Sequence, residues 1–225
     1  MELKPIAHIH SPFPEKFGVP RQSGLIEALR AQILFLPEYR SPEAVRGLEG
    51  FSHLWLIWQF SQVPAGKWSP TVRPPRLGGN KRVGVFASRS PFRPNPLGLS
   101  CVALEAVDFS RQDGPVLHIL GADLVDGTPI FDIKPYLPSA DCKPEATGGF
   151  TDEKSWEQLE VEFPAELLAR VPEEQQAALT AVLSADPRPH YQNDSERVYG
   201  MAFGGMEVRF TVEDKQLRVQ SVEMK

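Results

Sequence analysis

Arg82-Val83-Gly84-Val85-Phe86-Ala87-Ser88-Arg89-Ser90-Pro91-Phe92-Arg93-Pro94-Asn95-Pro96-Leu97-Gly98-Leu99-Ser100 joins an apolar run to a loop built from prolines and arginines. The run Val83 to Ala87 predicts a strand over 82–88. Pro91, Pro94 and Pro96 each lock φ and restrict the residue before them, so the loop that follows is largely frozen. Arg89 and Arg93 are therefore expected to stand out as positioned charges. Asn95 adds an amide, and Gly98 allows close backbone approach. A rigid cationic loop leaving a strand points to an anionic or carboxylate-bearing ligand. A strand that feeds such a loop, with no G-x-G-x-x-G and no Walker A run anywhere in the chain, excludes the ordinary Rossmann and P-loop routes to nucleotides.

Working outward, the segments around this stretch read mostly as strands. Alternation over residues 1–11 sets Leu3, Pro5, Ala7 and Ile9 on one face. Ala31 to Leu36 and the aromatic His53 to Phe60 are further strands, the second read as buried. Ser41-Pro42 places an N-cap and a first-turn proline for a short helix. Residues 61–81 carry four prolines and Gly78-Gly79 and read as one long loop. Strands follow over 99–109, 115–122 and 128–134, with Gly114-Pro115 and Asp126-Gly127 as turns. After an irregular stretch over 138–156, Glu166 to Arg170 and Glu173 to Ser184 read as helices. Tyr199 to Phe203, Glu207 to Val212 and Leu217 to Val222 read as a closing meander. The expected fold is mainly β: an N-terminal β unit over 1–140 and a small α+β C-terminal domain over 155–225.

Charge is distributed unevenly. The net charge is −5, yet no acid occurs between Glu49 and Glu105, where Lys67, Arg73, Arg76, Lys81, Arg82, Arg89 and Arg93 give +7. A local basic field on an acidic chain suits phosphates. From Glu145 to Asp186 the balance reverses to ten acids against Lys154 and Arg170. Cys101 and Cys142 lack metal-ligand spacing and are expected to be buried free thiols. The five histidines form no zinc motif, so no metal is expected. No apolar run approaches the roughly 18 residues of a membrane span, and no signal peptide is recognised. The expected location is the cytoplasm.

Other constellations carry polar chemistry. Asp123 to Pro129 leads into Asp132, Lys134 and Tyr136, which share one face of an extended strand. Acid, amine and phenol on one face can position a substrate. Pro20-Arg21-Gln22 places an arginine and an amide on another loop. Asp186-Pro187-Arg188-Pro189-His190-Tyr191 repeats the proline-flanked arginine, with Arg188 for a phosphate and His190 or Tyr191 for stacking on a base.

The run Val83 to Ser100 closely resembles the signature of the TsaA-like (YaeB, TrmO) family. The resemblance extends to Arg46-Gly47-Leu48-Glu49 with Phe51 to Trp55, to Arg73 to Gly79, to Asp123 to Tyr136, and to Asp186 to Pro189. It implies a non-Rossmann β-barrel and an S-adenosylmethionine-dependent methyltransferase acting on N6 of N6-threonylcarbamoyladenosine beside the tRNA anticodon. It also implies a homodimer with the cofactor near the subunit interface. Carried over residue by residue, the cofactor contacts fall on Pro20, Arg21, Gln22, Ser61, Gln62, Arg89, Leu99, Leu124, Val125, Asp126 and Gly127. Ser61 departs from the histidine common at that place in the family. Methyl transfer to a urea-like nitrogen needs alignment and proton removal. Asp126 is nominated as base, with Lys134 or Tyr136 as orienters. Arg76, Lys81, Arg82, Arg93, Arg188 and Tyr191 are the RNA-binding candidates. A non-catalytic RNA-binding barrel would keep the basic segment without needing the Asp126 cluster. A small-molecule methyltransferase would keep the cofactor loops without Arg188 or the basic run.

Overall fold

The structure is a computed structural model and describes residues 2–64, 66–74, 77, 81–152, 158–188 and 194–225. Six strands close into an antiparallel barrel in the order β1-β2-β7-β6-β3-β8. They are β1 (Ala7–His10), β2 (Arg30–Phe35), β3 (His53–Gln59), β6 (Leu97–Asp108), β7 (Val116–Leu120) and β8 (Pro129–Pro135). Closure comes where Ala7 pairs with Ile130 and His8 with Pro129. Alternation decides what lies inside. In β3, Leu54, Leu56 and Trp58 are buried, while His53, Trp55 and Ile57 face outward, so this strand is half-buried rather than buried throughout. Ile9, Ile33, Leu54, Leu56, Val102, Leu117, Ile119 and Ile130 fill the interior. A barrel of this size is packed solid by its own side chains, which leaves only its ends for a ligand.

A second sheet, ordered β10-β11-β12-β9, follows. β10 (Tyr199–Phe203), β11 (Met206–Glu213) and β12 (Gln216–Met224) form the expected meander, and β9 (Glu160–Glu162) adds a parallel edge beside β12. β9 is three residues with glutamates at both ends, too short and polar to announce itself. The helix α3 (Glu173–Ser184) lays Ala178, Leu179, Val182 and Leu183 on this sheet. It is preceded by the one-turn helices α1 (Pro138–Asp141) and α2 (Ala165–Leu168). α1 lies in the stretch expected to be irregular. The fold is thus mainly β, a barrel followed by a small α+β unit.

Two expectations near the barrel are corrected. The strand over 82–88 is only β5 (Val83–Gly84), followed by a 3-10 turn over Val85–Ala87. Its partner is β4 (Thr71–Val72), inside the supposed long loop, and the pair forms a separate two-stranded arm. With a single two-residue partner, the apolar run has no ladder to extend along. The short helix after Ser41 is a 3-10 turn, Pro42–Val45, and the Ser41 side chain makes no capping bond.

The two units share a core. Phe13, Ile26 and Leu29, all from the β1–β2 connection, pack among Leu179, Met201, Phe203 and Phe210. The Phe13 ring meets Phe203 edge-on at 5.4 Å. Gly18, at φ +92, lies against Met201, whose sulfur would sit 2.3 Å from an added Cβ. The barrel's loop is therefore a structural part of the C-terminal core. Phe13→Ala is expected to cost about 3–5 kcal/mol while urea unfolding stays a single transition by both fluorescence and circular dichroism. Two separated transitions would show that the units fold independently.

Candidate active site at one end of the barrel

Because the strands alternate in direction, the β1–β2, β3–β6 and β7–β8 connections all leave the same end of the barrel. This parity gathers Pro20 to Gln22, Ser61 and Gln62, Arg89, and Leu124 to Gly127 onto one rim. Leu99 lies two residues into β6, turned outward and 52% exposed. The expected cofactor residues thus lie at one end of one molecule.

The Arg89 Nη1 donates to Gln22 Oε1. Gln22 Nε2 in turn donates to the Arg21 carbonyl at 2.5 Å. Arg21 Nη2 reaches the Asp186 carbonyl at 3.3 Å. Burial lowers the Arg21 pKa, and Asp186 opposes that effect. Beside this chain lies a partly buried polar cluster. Trp58 Nε1 donates to Ser100 Oγ at 2.9 Å, and Ser100 Oγ donates to Asp123 Oδ1 at 2.5 Å. The Cys101 amide is held by Ser23 Oγ at 3.1 Å. Burial pushes the Asp123 carboxyl above the usual carboxylate range. The Ser100 hydroxyl, the Asp123 and Ser23 backbone amides and the Arg89 charge only partly offset it. Asp123 is thus a carboxylate short of positive charge, close to an arginine presented on the rim. A ligand that carries both a carboxylate and a cationic group satisfies both, and S-adenosylmethionine, with one carboxylate, an ammonium and a sulfonium, is such a molecule. The donor set fits it.

Sequence reasoning singled out Arg89 and Gln22 but passed over Ser100, Ser23 and Asp123 as working groups. The available signal was polar residues, Ser100 and Asp123, flanked by apolar strand segments.

The cationic loop is rigid for a further reason. Arg93 Nη1 donates to the Ser88 carbonyl at 2.7 Å and the Val85 carbonyl at 3.2 Å, and its guanidinium lies 5.7 Å from the Phe86 ring centre. Arg93 is a clamp on its own loop rather than an outstretched charge. Arg82 Nη1 donates to Thr71 Oγ1 at 2.9 Å and ties the β4–β5 arm. Lys81 is exposed. Arg188 is only 9% exposed, with Nε and Nη2 on the Asp186 carboxylate at 2.8 and 3.0 Å. Its buried ion pair favours a structural role over the expected phosphate grip. Arg76, His190 and Tyr191 lie outside the described residues. Trp68, Phe86 and Phe92 are exposed aromatics on and beside the arm, with Phe86 at 75%.

The expected trio of Asp126, Lys134 and Tyr136 is not assembled. Asp126 sits before β8, whereas Lys134 is five residues into it, roughly 16 Å along an extended chain. Lys134 pairs with Asp132 at 3.0 Å on the outer wall. Tyr136 packs on Trp55, with ring centres 5.8 Å apart. Cys142 is exposed rather than buried, and Cys101 is half-buried.

The closed barrel with polar loops gathered on one rim defines a non-Rossmann barrel protein. The chain belongs to the tRNA-methyltransferase O family: residues 8–142 match that family's N-terminal domain and residues 156–225 its C-terminal domain. It is 43% identical over 230 residues to a tRNA (adenine(37)-N6)-methyltransferase of Escherichia coli (strain K12), covering 99% of this chain and 97% of that one. It is 39% identical to a putative S-adenosylmethionine-dependent methyltransferase, RcsF, of Pseudomonas aeruginosa, covering 92% and 91%. A crystal structure of TrmO from the same species superposes with a TM-score of 0.80 at 33% identity, covering 100% of this chain and 97% of that one.

Asp123 gives the site a pH signature. Its folded pKa is raised, so its stabilising share is complete in acid, below the ordinary carboxylate range, and is lost as pH rises through the raised value. Asp123→Asn removes that loss. Its stability relative to wild type is expected to improve steadily from acid to neutral pH in urea melts, and a pH-independent difference would refute the buried-charge account.

Proposed function

We propose that this chain is an S-adenosylmethionine-dependent methyltransferase acting on N6 of adenine 37 in tRNA, with N6-threonylcarbamoyladenosine as its substrate base. The observation that carries this reading is the convergence of Arg89, Gln22 and Asp123 on one barrel rim, within a family whose relatives bear that activity in their names. The barrel, residues 1–140, is the cofactor unit, and the C-terminal unit, 155–225, assists tRNA binding.

When bound, the cofactor supplies an electrophilic methyl group on a sulfonium. This chain's residues hold and orient it. Arg89, steadied by Gln22, suits its carboxylate, and Asp123 supplies the compensating negative charge nearby. The Leu124–Gly127 backbone and the outward Leu99 line the rim. Trp68, Phe86 and Phe92 stand in the acid-free basic segment with Lys67, Arg73 and Lys81. Exposed rings among cations suit the unstacked bases and phosphates of an RNA loop. The outer wall of β3 and β6 presents Trp55, Ile57 and Leu99, an apolar surface that supports a homodimer. Among the described residues there is no cluster of metal ligands and no helix long and apolar enough to cross a membrane. The working compartment of a tRNA-modifying enzyme is the cytoplasm.

Calorimetric titration with S-adenosylmethionine is expected to show saturable binding stoichiometric with the chain. Arg89→Ala is expected to weaken it at least about tenfold, the equivalent of one charged hydrogen bond, with the fold intact. Transfer of labelled methyl to threonylcarbamoylated tRNA should exceed transfer to unmodified tRNA, and RNA affinity should fall steeply with salt. RNA binding without cofactor binding would favour the non-catalytic barrel.

A further inference from the structure

The connection after β1 is stitched to the one before β8. The Asp126 amide donates to the Phe13 carbonyl, Gly127 to Ile9, and Ser11 Oγ to the Leu124 carbonyl, each at 2.8 Å. Gly127, at φ +72, makes the turn that a side-chain-bearing residue would strain. This frame holds the Asp126 carboxylate on a cleft of about 480 Å³ between the barrel and the C-terminal unit. Pro12, Leu29, Ala178, Phe203 and Gly204 contribute its apolar walls, and its size suits a nucleobase with a substituent.

His10, the last residue of β1, lines the same cleft, with Nδ1 2.9 Å from Asp126 Oδ1. The Ser11 amide donates to that same oxygen at 2.9 Å. An ionised carboxylate only accepts hydrogen bonds, so His10 Nδ1 must be the donor. In the neutral ring the lone pair then lies on Nε2, which has no partner among the described residues and belongs to a side chain 66% exposed. The other charged or titratable groups on the cleft are Arg30 from β2, His118 from β7 and Glu174 from α3. Arg30 is taken by Glu105 at 2.8 Å, and His118 lies 3.8 Å from Asp108.

We infer that His10, rather than Asp126, is the proton acceptor for methyl transfer, and that Asp126 is the positioning residue that sets its tautomer. This rests on the methyltransferase reading above. As the N6–carbon bond forms, the carbon–sulfur electron pair returns to sulfur as a thioether. The N6 proton passes to His10 Nε2, leaving an imidazolium beside Asp126. As a class imidazoles are stronger bases than carboxylates, and a carboxylate that orients the Nδ1–H of an imidazole stabilises the charged product.

The test has two parts. Nitrogen-15 spectra of histidine-labelled protein, with the His10 signal assigned by its loss in His10→Gln, are expected to show the Nδ1–H tautomer. Asp126→Asn should abolish that preference. In methyl-transfer assays His10→Gln is expected to lower kcat about 10²- to 10⁴-fold. Cofactor affinity and KM for tRNA should stay within about threefold, and the rising limb of the pH–rate profile should disappear. Added imidazole should restore part of the rate. An Nε2–H tautomer in the wild type, or a His10→Gln rate within about threefold of an active wild type, overturns the inference alone. A wild-type protein that binds cofactor yet methylates neither tRNA overturns the functional reading, and this inference with it.

Discussion

Six strands enclose too little space for anything but their own side chains, and the rest of the molecule follows from that limit. With Leu54, Leu56, Ile33 and Ile130 filling the interior, no ligand can enter the barrel. Antiparallel alternation sends three connections, with nearly all the expected cofactor residues, to the same end. The strands make a platform that presents those loops together.

Those loops are long, and length by itself makes a poor site because every ordered residue costs entropy. The chain limits that cost in two ways. Prolines freeze the segment around Arg89, and Arg93 binds two carbonyls of the same segment. The β1–β2 connection is held by burial instead: Phe13, Ile26 and Leu29 belong to the C-terminal core. The C-terminal unit is therefore a support for the rim that carries Pro20 to Gln22. Arg21 reaches the Asp186 carbonyl, while the Asp186 carboxylate is held by Arg188.

Electrostatics at the rim are deliberately incomplete. Asp123 is half-buried and desolvated, with hydroxyl and amide donors and only partial relief from Arg89. Desolvation makes the charged form of such a carboxylate costly, and a cation placed beside it would offset that cost. The His10–Asp126 pair, by contrast, is exposed and satisfied on one side only. One acid is arranged to meet charge, the other to aim a histidine.

By itself the sequence determined the mainly β character, the closing meander, the absence of a Rossmann turn, and the rigidity of the Arg89 loop. These follow from local causes: period-two alternation, proline geometry and turn chemistry. Its motifs also carried the family resemblance and the cofactor contacts expected from it. Tertiary structure alone decided the rest. It split the run Val83–Ala87 into a short arm and a turn, turned Arg93 and Arg188 inward, parted Asp126 from Lys134 and Tyr136, and paired Asp126 with His10. Asp126 and His10 are 116 positions apart, and only the closure of β8 onto β1 brings them together. Periodicity reports which face a residue occupies. It carries no information about which distant strand lies alongside, because register and pairing are set by the packing of the whole barrel.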